Sequence, residues 1–150
     1  MISEYIGRAL PPSRPYLVGR EKVREFALAV GEGAAVCTDL DAARAAGHPD
    51  LVAPPTFAVA FSLPMMEAFL RDPAVGWDYA HTVHGEQSFV LHRPLCAGDE
   101  VVTTLHVDEL RTRAGSLFLT LRAEVADTAG APVVTAVSLM VTAAPAEVPA

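Results

Sequence analysis

The stretch LVAPPTFAVAFSLPMMEAFLR, residues 51–71, is the longest strongly apolar run in the chain. Between positions 57 and 70 only Ser62 and Glu67 are polar, so a helix here is hydrophobic nearly all round and is predicted to be buried on every side. The run is too short and too interrupted to cross a bilayer, which needs about 20 consecutive apolar residues. It therefore predicts a central core helix.

Pro64 lies inside this predicted helix, where a proline removes a hydrogen bond and costs about 3 kcal/mol. Two arrangements accommodate it. In the first, which the pattern favours, one helix kinks at Pro64; in the second, residues 57–62 form a strand and Ser62 caps a new helical segment. Pro54 and Pro55 predict an extended backbone in front of the helix, because a residue that precedes proline avoids the helical region.

Two amphipathic helices are predicted before the central run. Apolar residues recur at helical spacing over residues 21–30, and a shorter helix begins at residue 39 or 40 and ends at 46, with Asp39 well placed as its N-cap. Residues 16–18 predict a short edge strand, and the aromatic loop 71–80 is either a mobile cover or a segment that packs down. The helices therefore precede the main sheet.

The second half of the chain is rich in strands. Runs of Val, Leu, Thr and Phe predict them at residues 82–91, 100–110, 117–126 and 133–142. The connections at 94–99, 113–116 and 127–132 are short, which predicts that each strand pairs with the next in antiparallel fashion. The chain is thus predicted to be one α+β domain over residues 1–150, with a sheet curled round the central helix and a frayed tail from Ala143.

The composition excludes several classes of partner. Eleven Lys and Arg against 18 Asp and Glu give a formal net charge of -7, which argues against binding nucleic acid or an anionic membrane. Cys37 and Cys96 show no CxxC spacing, so neither a metal site nor a disulfide framework is predicted. No cofactor is expected. The start MISEYIGRAL has no basic segment followed by an apolar one, which predicts a cytoplasmic protein.

Six motifs occur in a characteristic order along nearly the whole chain. They are REKVREFA (20–27), DAARAAG (41–47), APPTF (53–57), HGEQ (84–87), HRPL (92–95) and AGD (97–99). In order and spacing they resemble the MaoC-like dehydratase N-terminal domain family. The resemblance implies the hot-dog fold, a curved antiparallel sheet wrapped round a long central helix and typically dimeric. It also implies hydration of 2-enoyl thioesters, or dehydration of (3R)-hydroxyacyl thioesters, of coenzyme A or acyl carrier protein.

Catalytic members of that family carry a loop G-D-x-N-P-x-H, whose Asp and His hold a water and move its proton. The equivalent loop here is GEGAAVC, residues 31–37, with Glu32 in place of Asp, Ala34 in place of Asn and Cys37 in place of His. Alanine has no side-chain donor or acceptor, and an ordinary thiol with a pKa of about 8.5 is a poor proton shuttle. The Asp and His pair is not retained, so no catalytic residue is assigned, although Glu32 alone remains a candidate base.

The resemblance also indicates where a thioester would lie. In catalytic members a backbone N–H at the start of the central helix binds the thioester carbonyl, and the equivalent donors here are those of Thr56 or Phe57, since prolines have none. The positive end of a helix favours the negative charge that develops on that oxygen. By the same resemblance, His84 and Gln87 are expected to face the bound thioester.

The sequence thus predicts a non-catalytic, substrate-channel subunit that acts with a catalytic MaoC-like partner. Two-subunit (3R)-hydroxyacyl-ACP dehydratases provide the precedent, because they pair a hot-dog subunit bearing Asp and His with a related subunit that lacks them. The predicted partners are an acyl-CoA or acyl-ACP thioester and a second hot-dog chain, as homodimer or heterodimer. Two alternatives remain open, namely an active hydratase that uses Glu32 and a homodimeric binding protein for an acyl thioester or another small apolar ligand.

Overall fold

The computed structural model describes residues 1–144, which form three α-helices and a five-stranded antiparallel sheet. The helices are α1 (Arg20–Ala29), α2 (Leu40–Ala45) and α3 (Val59–Arg71), and the strands are β1 (Tyr16–Leu17), β2 (Val83–Leu91), β3 (Glu100–Arg113), β4 (Ser116–Asp127) and β5 (Pro132–Ala143). This confirms the predicted α+β class and the predicted elements, the central helix included, to within three residues. Ala143 ends β5, and most of the predicted frayed tail lies outside the described residues.

The strand order is β1-β3-β4-β5-β2, with every neighbouring pair antiparallel. The tight turns after β3 and β4 join neighbours, as predicted. The connection between β2 and β3 does not, so the prediction that residues 94–99 join paired strands was wrong. This segment instead crosses the end of the sheet and bonds to the approach to α3, through Ala97 N–H to Leu51 O at 2.9 Å and Ala53 N–H to Leu95 O at 2.7 Å. Short connections favour pairing of consecutive strands but do not require it.

The sheet buries one face. Along β4, Leu119, Leu121, Ala123 and Val125 are buried while the residues between them are partly exposed, which confirms the alternation predicted from sequence. The same alternation in β5 places Ala136, Ser138 and Met140 on the buried face. This inner face carries the core against which the helices pack.

The central helix is less buried than predicted. It begins at Val59 and runs without a break through Pro64, so the alternative with a strand at residues 57–62 was wrong. The expectation of burial on every side was also wrong, because only Ser62, Met66 and Leu70, spaced at four residues, are buried. The sheet covers one side of α3 only, and the opposite side, which includes Pro64 and Ala68, is exposed although it too is apolar.

The loop after α3 packs down and does not stand away from the core. Val75 and Trp77 are 1% and 8% exposed, and the indole N–H of Trp77 donates to Thr82 Oγ1 at 2.8 Å. Tyr79 donates from its hydroxyl to Glu67 Oε1 at 2.5 Å, and its ring lies 4.0 Å from the Arg71 guanidinium carbon. Of the two alternatives for this loop, the structure therefore supports the packed one.

An ion pair ties the start of α1 to the segment that leads into α3. Arg20 Nε lies 2.9 Å from Asp50 Oδ1 and Arg20 Nη2 lies 2.5 Å from Asp50 Oδ2, while Asp50 Oδ1 also accepts the Leu51 N–H at 2.7 Å. The hydrogen bond from Arg20 is the main reason that the pKa of Asp50 falls from 3.8 to about 2. The folded chain therefore holds the charged carboxylate more strongly than the unfolded chain does.

Asp50→Asn is expected to lower the free energy of unfolding at pH 7 by about 1 kcal/mol, a value discounted for solvent screening. Because the folded pKa lies below the unfolded one, this stabilisation is complete above about pH 5 and is lost as the pH falls towards 2. Urea unfolding of both chains between pH 7 and pH 2 should show the difference closing on acidification. A gap that stays constant with pH would contradict the assignment, and Glu100→Gln at an exposed carboxyl is the matched control.

Candidate active site

A cleft of about 500 Å³ lies where the loop after α1, the approach to α3 and the end of β2 meet. Its lining is mostly apolar, with Glu32, His92 and Arg93 as the ionisable exceptions apart from a cysteine. The other lining residues are Ala34, Val36, Cys37, Val52, Ala53, Pro54, Pro55, Ala58, Leu91, Pro94, Leu95 and Val134. The cleft thus combines an apolar wall with a few polar groups at the leading end of α3.

Backbone hydrogen bonds hold the three segments of the cleft together. Gly31 ends α1 with φ at +71°, a conformation that glycine adopts without strain, and this turns the loop back across the helix end. Val52 N–H donates to Val36 O at 2.9 Å, and the next residue, Ala53, is bonded to Leu95 O on its other side. The approach to α3 is therefore clamped between the loop and the segment after β2.

The three substituted positions of the loop at residues 31–37, namely Glu32, Ala34 and Cys37, all line this cleft. Glu32 is half-buried, and its Oε1 accepts the Ala34 N–H at 2.9 Å, so the carboxylate stabilises the turn of its own loop. Ala34 offers a methyl group where catalytic members of the resembled family offer an amide. The loop therefore presents one carboxylate to the cleft.

Cys37 is only 4% exposed. Burial, and after it the charge of the Glu32 carboxylate, raises the pKa of the Cys37 thiol above its ordinary value. The sulfur is therefore protonated at neutral pH, and a thiol in that state is neither a base nor a nucleophile. The position equivalent to the catalytic histidine thus has no proton-accepting group.

The leading end of α3 supplies backbone donors. Pro54 and Pro55 have no N–H, and the Phe57 N–H is already bonded to Pro54 O at 2.9 Å. Within residues 1–144, the N–H groups of Thr56 and Ala58 make no hydrogen bond to another protein group. Thr56 is exposed, the Phe57 side chain is fully buried, and Ala58, which the sequence reasoning did not single out, lines the cleft.

His84 and Gln87, the other two predicted substrate-binding residues, lie away from the cleft. Gln87 is held in the sheet, where its Nε2 donates to Val137 O at 3.0 Å and its Oε1 accepts from Ser138 Oγ at 2.6 Å. His84 lines a second cavity of about 480 Å³ at the opposite end of β2, which we call the distal cavity. Its remaining lining is Leu63, Glu67, Leu70, Arg71, Tyr79, Ala80, Thr82 and Met140.

His92 and Arg93 also line the cleft, although the sequence analysis assigned neither of them a role there. His92 Nε2 lies 2.9 Å from Thr135 Oγ1. Arg93 donates to Asp99 Oδ2 at 2.7 Å, which is the main cause of its raised pKa, and its Nη2 lies 3.8 Å from Asp127 Oδ2. Arg93 is therefore held by acidic residues that fix the loop before β3, and the sequence signal for both residues was the HRPL motif directly after β2.

The described residues contain no group of three or more His, Cys, Asp or Glu side chains placed to hold a metal ion. Among them there is likewise no helix with the length and apolarity needed to traverse a bilayer. The arrangement in the cleft is thus an apolar wall, backbone donors at a helix start and one carboxylate.

A family model described as the FAS1-like dehydratase domain region matches residues 4–136. The chain belongs to this family. A UPF0336 protein of Saccharopolyspora erythraea is 50% identical over 145 residues, which covers 97% of this chain and 93% of that protein. A UPF0336 protein of Clavibacter michiganensis is 51% identical over 138 residues, with coverage of 92% and 93%.

Solved structures with this fold include dehydratases. The C-terminally truncated HadBC complex of Mycobacterium tuberculosis, a (3R)-hydroxyacyl-ACP dehydratase, matches with TM-score 0.84 and 27% identity over 94% of this chain and 99% of that chain. A MaoC-like dehydratase matches with TM-score 0.87 and 31% identity over 96% of this chain and 44% of that longer chain. Both the resemblance to MaoC-like dehydratases and the predicted hot-dog fold are confirmed.

Proposed function

We propose that this chain is the non-catalytic, substrate-channel subunit of a (3R)-hydroxyacyl thioester dehydratase, or enoyl hydratase, and acts with a catalytic MaoC-like partner in the cytoplasm. The observation that carries the proposal is the cleft itself. It retains the start of α3, which binds the thioester carbonyl in catalytic members of the family. However, Ala34 and a buried, protonated Cys37 occupy the positions of the proton-transfer residues. Similarity to a chain of the HadBC dehydratase complex supports the same assignment.

The chemistry explains why such a cleft needs a partner. Adding water across an enoyl thioester requires a base for the water, a proton donor for the α-carbon and a donor for the carbonyl oxygen. The Thr56 and Ala58 N–H groups can meet the last requirement at the start of α3. One carboxylate, already bonded to its own loop, does not meet the other two.

The free edge of β2 is the surface that we assign to this partner. Within the described residues β2 pairs with β5 alone, and Val83, Val90 and Leu91 on it are 64%, 56% and 47% exposed. His92 N–H points to β5, where it donates to Val133 O, so the Leu91 N–H one residue earlier points to the free edge. A long, apolar, unpaired edge is a template for pairing with a strand of another chain.

An active hydratase is the second candidate, and one observation favours it. His92 lines the same cleft as Glu32, so an acid and a base are both present there. Against this, His92 is hydrogen-bonded to Thr135, and Glu32 accepts the Ala34 N–H. Each side chain is therefore bonded to a different part of the protein, and the two are not bonded to each other. We therefore rank this candidate below the non-catalytic subunit.

Co-expression tests the proposal. The chain, tagged, is expected to co-purify with a MaoC-like subunit that carries an intact G-D-x-N-P-x-H loop, at one copy of each by light scattering. A stable homodimer that excludes such a subunit and retains a fatty acyl ligand would instead support a homodimeric binding protein.

A further inference from the structure

We propose that the outer face of the sheet, which is the face turned away from the helices, binds the same face of a second copy of this chain. The inference goes beyond the proposed function, because it assigns a second contact on a surface different from the free edge of β2. A groove of about 300 Å³ crosses this outer face, and its lining comes from β2, β3, β4 and β5. We call it the outer groove.

The floor of the outer groove is apolar. Phe118 of β4 forms it together with Val137 and Leu139 of β5, and Val141 lies in register beside Phe118. All four side chains are partly exposed, although an antiparallel sheet that packs one face on a core usually has a polar outer face. An apolar strip of this kind marks a surface that another protein covers.

Two exposed charges lie at opposite ends of the outer groove. Glu86 lies on β2 and Arg113 at the end of β3, and both side chains line the groove. Within residues 1–144 neither takes part in an ion pair, whereas the neighbouring Arg111 is bonded to Glu109 at 2.5 Å. The apolar floor is thus flanked by one free negative charge and one free positive charge.

The strand registers give the separation of these two charges. Arg113 pairs with Ser116 of β4, whereas Glu86 is in register, through Leu139, with Thr120 of β4. Four residues along β4 span about 13 Å, and the three strand spacings from β2 to β3 span about 14 Å. The two charges therefore lie at opposite corners of a nearly square patch of the outer face.

A square patch with these corners is self-complementary under two-fold symmetry. When the two-fold axis lies between the two faces and runs along the other diagonal of the square, Arg113 of each copy lies opposite Glu86 of the other. This axis passes between Val141 and Phe118, so the apolar floors of the two copies meet at the centre of the contact. The strands of the two sheets then cross at about 90°, which is one of the two usual ways in which sheets pack.

The size and the charges of the face both fit a second copy. Four strands and four rows of outer side chains cover about 500 Å² on each chain. Two copies therefore bury about 1,000 Å² in total, which is the lower limit for a specific interface, so the association is expected to be weak. A partner that carries charge of one sign leaves one of the two corners unpaired, whereas a second copy pairs both.

Sedimentation velocity of the assembled heterodimer over a micromolar concentration series is the test. The wild type is expected to form a species of twice the heterodimer's mass as the concentration rises. Arg113→Glu and Glu86→Arg each set like charges opposite one another at both ends of the contact, so each is expected to raise the Kd of this step roughly tenfold or more. The double variant restores opposite charges and is expected to return to within about threefold of the wild-type Kd.

Arg14→Glu, at an exposed position before β1, is the control with the same charge change and is expected to assemble like wild type. A wild-type protein that stays a single dimer at every concentration would mean that the outer face binds a different partner, and would overturn the inference. A double variant that assembles no better than the single variants would overturn it as well. Failure to form the heterodimer would overturn the proposed function alone, because the doubling of mass is measured equally well on a homodimer paired along β2.

Discussion

Glu32→Gln is expected to leave the hydration rate of the reconstituted heterodimer within about twofold of wild type. Replacing the aspartate of the partner's G-D-x-N-P-x-H loop by asparagine should lower the same rate at least a hundredfold, because a positioned general base contributes about 10²–10⁴ in rate. In this chain the Glu32 carboxylate accepts the Ala34 N–H and faces a protonated Cys37, so it has no partner with which to move a proton. Steady-state kcat on a trans-2-enoyl-CoA measures both effects.

The two variants control for each other, since each removes one charge at an equivalent loop position. A loss in Glu32→Gln that approaches the loss in the partner's variant would place the base in this chain and favour the active-hydratase alternative. Glu32→Gln is expected to cost a little stability, because the amide accepts the Ala34 N–H less strongly than the carboxylate does. The melting temperature distinguishes that effect from a catalytic one.

The double variant Val83→Lys and Val90→Lys is expected to raise the Kd of the heterodimer about 100-fold. Each valine is more than half exposed in the single chain, so its burial at a paired β2 edge is worth roughly 1–2 kcal/mol. Lysines on an edge strand also oppose pairing directly. Because 1.4 kcal/mol corresponds to a tenfold change in Kd, the two substitutions together give about two orders of magnitude.

Analytical ultracentrifugation over a concentration series measures this change. The matched control is Leu28→Lys with Val30→Lys, which introduces two lysines at side chains 68% and 53% exposed on and just after α1. The control is expected to assemble like wild type. Unchanged assembly of the β2 variant would mean that the partner binds another surface.

The local elements of this fold follow closely from sequence. Asp39 accepts the N–H groups of Asp41 and Ala42, so the predicted cap of α2 is confirmed. The period-two pattern of residues 117–126 marks β4 and its buried face because one side of the sheet packs on the core. These features depend on neighbours within a few residues along the chain, which is why pattern alone predicts them.

Features that depend on distant contacts were harder to predict. β2 pairs with β5 across an intervening pair of strands, and nothing in the short connection at residues 94–99 reveals that it crosses the sheet. The apolar run of α3 predicted complete burial, yet one chain covers only the side that bears Met66 and Leu70. An apolar sequence predicts that a helix is buried, but it does not distinguish burial within one chain from burial against another chain.

The candidate site was predictable where the chain is continuous. Glu32, Ala34 and Cys37 lie on one loop, so motif spacing alone placed them together, and the structure brings them to the start of α3. His84 lies near the start of β2 and His92 directly after its end, and only the fold shows that they line different cavities. No sequence motif marked the distal cavity, because its residues come from α3, from the loop between α3 and β2, and from β2 and β5.

Turnover of a trans-2-enoyl-CoA by the purified chain, measured alone and after addition of a catalytic MaoC-like subunit, tests the central claim most directly. The account predicts no hydration above the uncatalysed rate for the chain alone, and rapid hydration once the complex has formed. Hydration by the chain alone at ordinary enzymatic rates, abolished by Glu32→Gln, would contradict it.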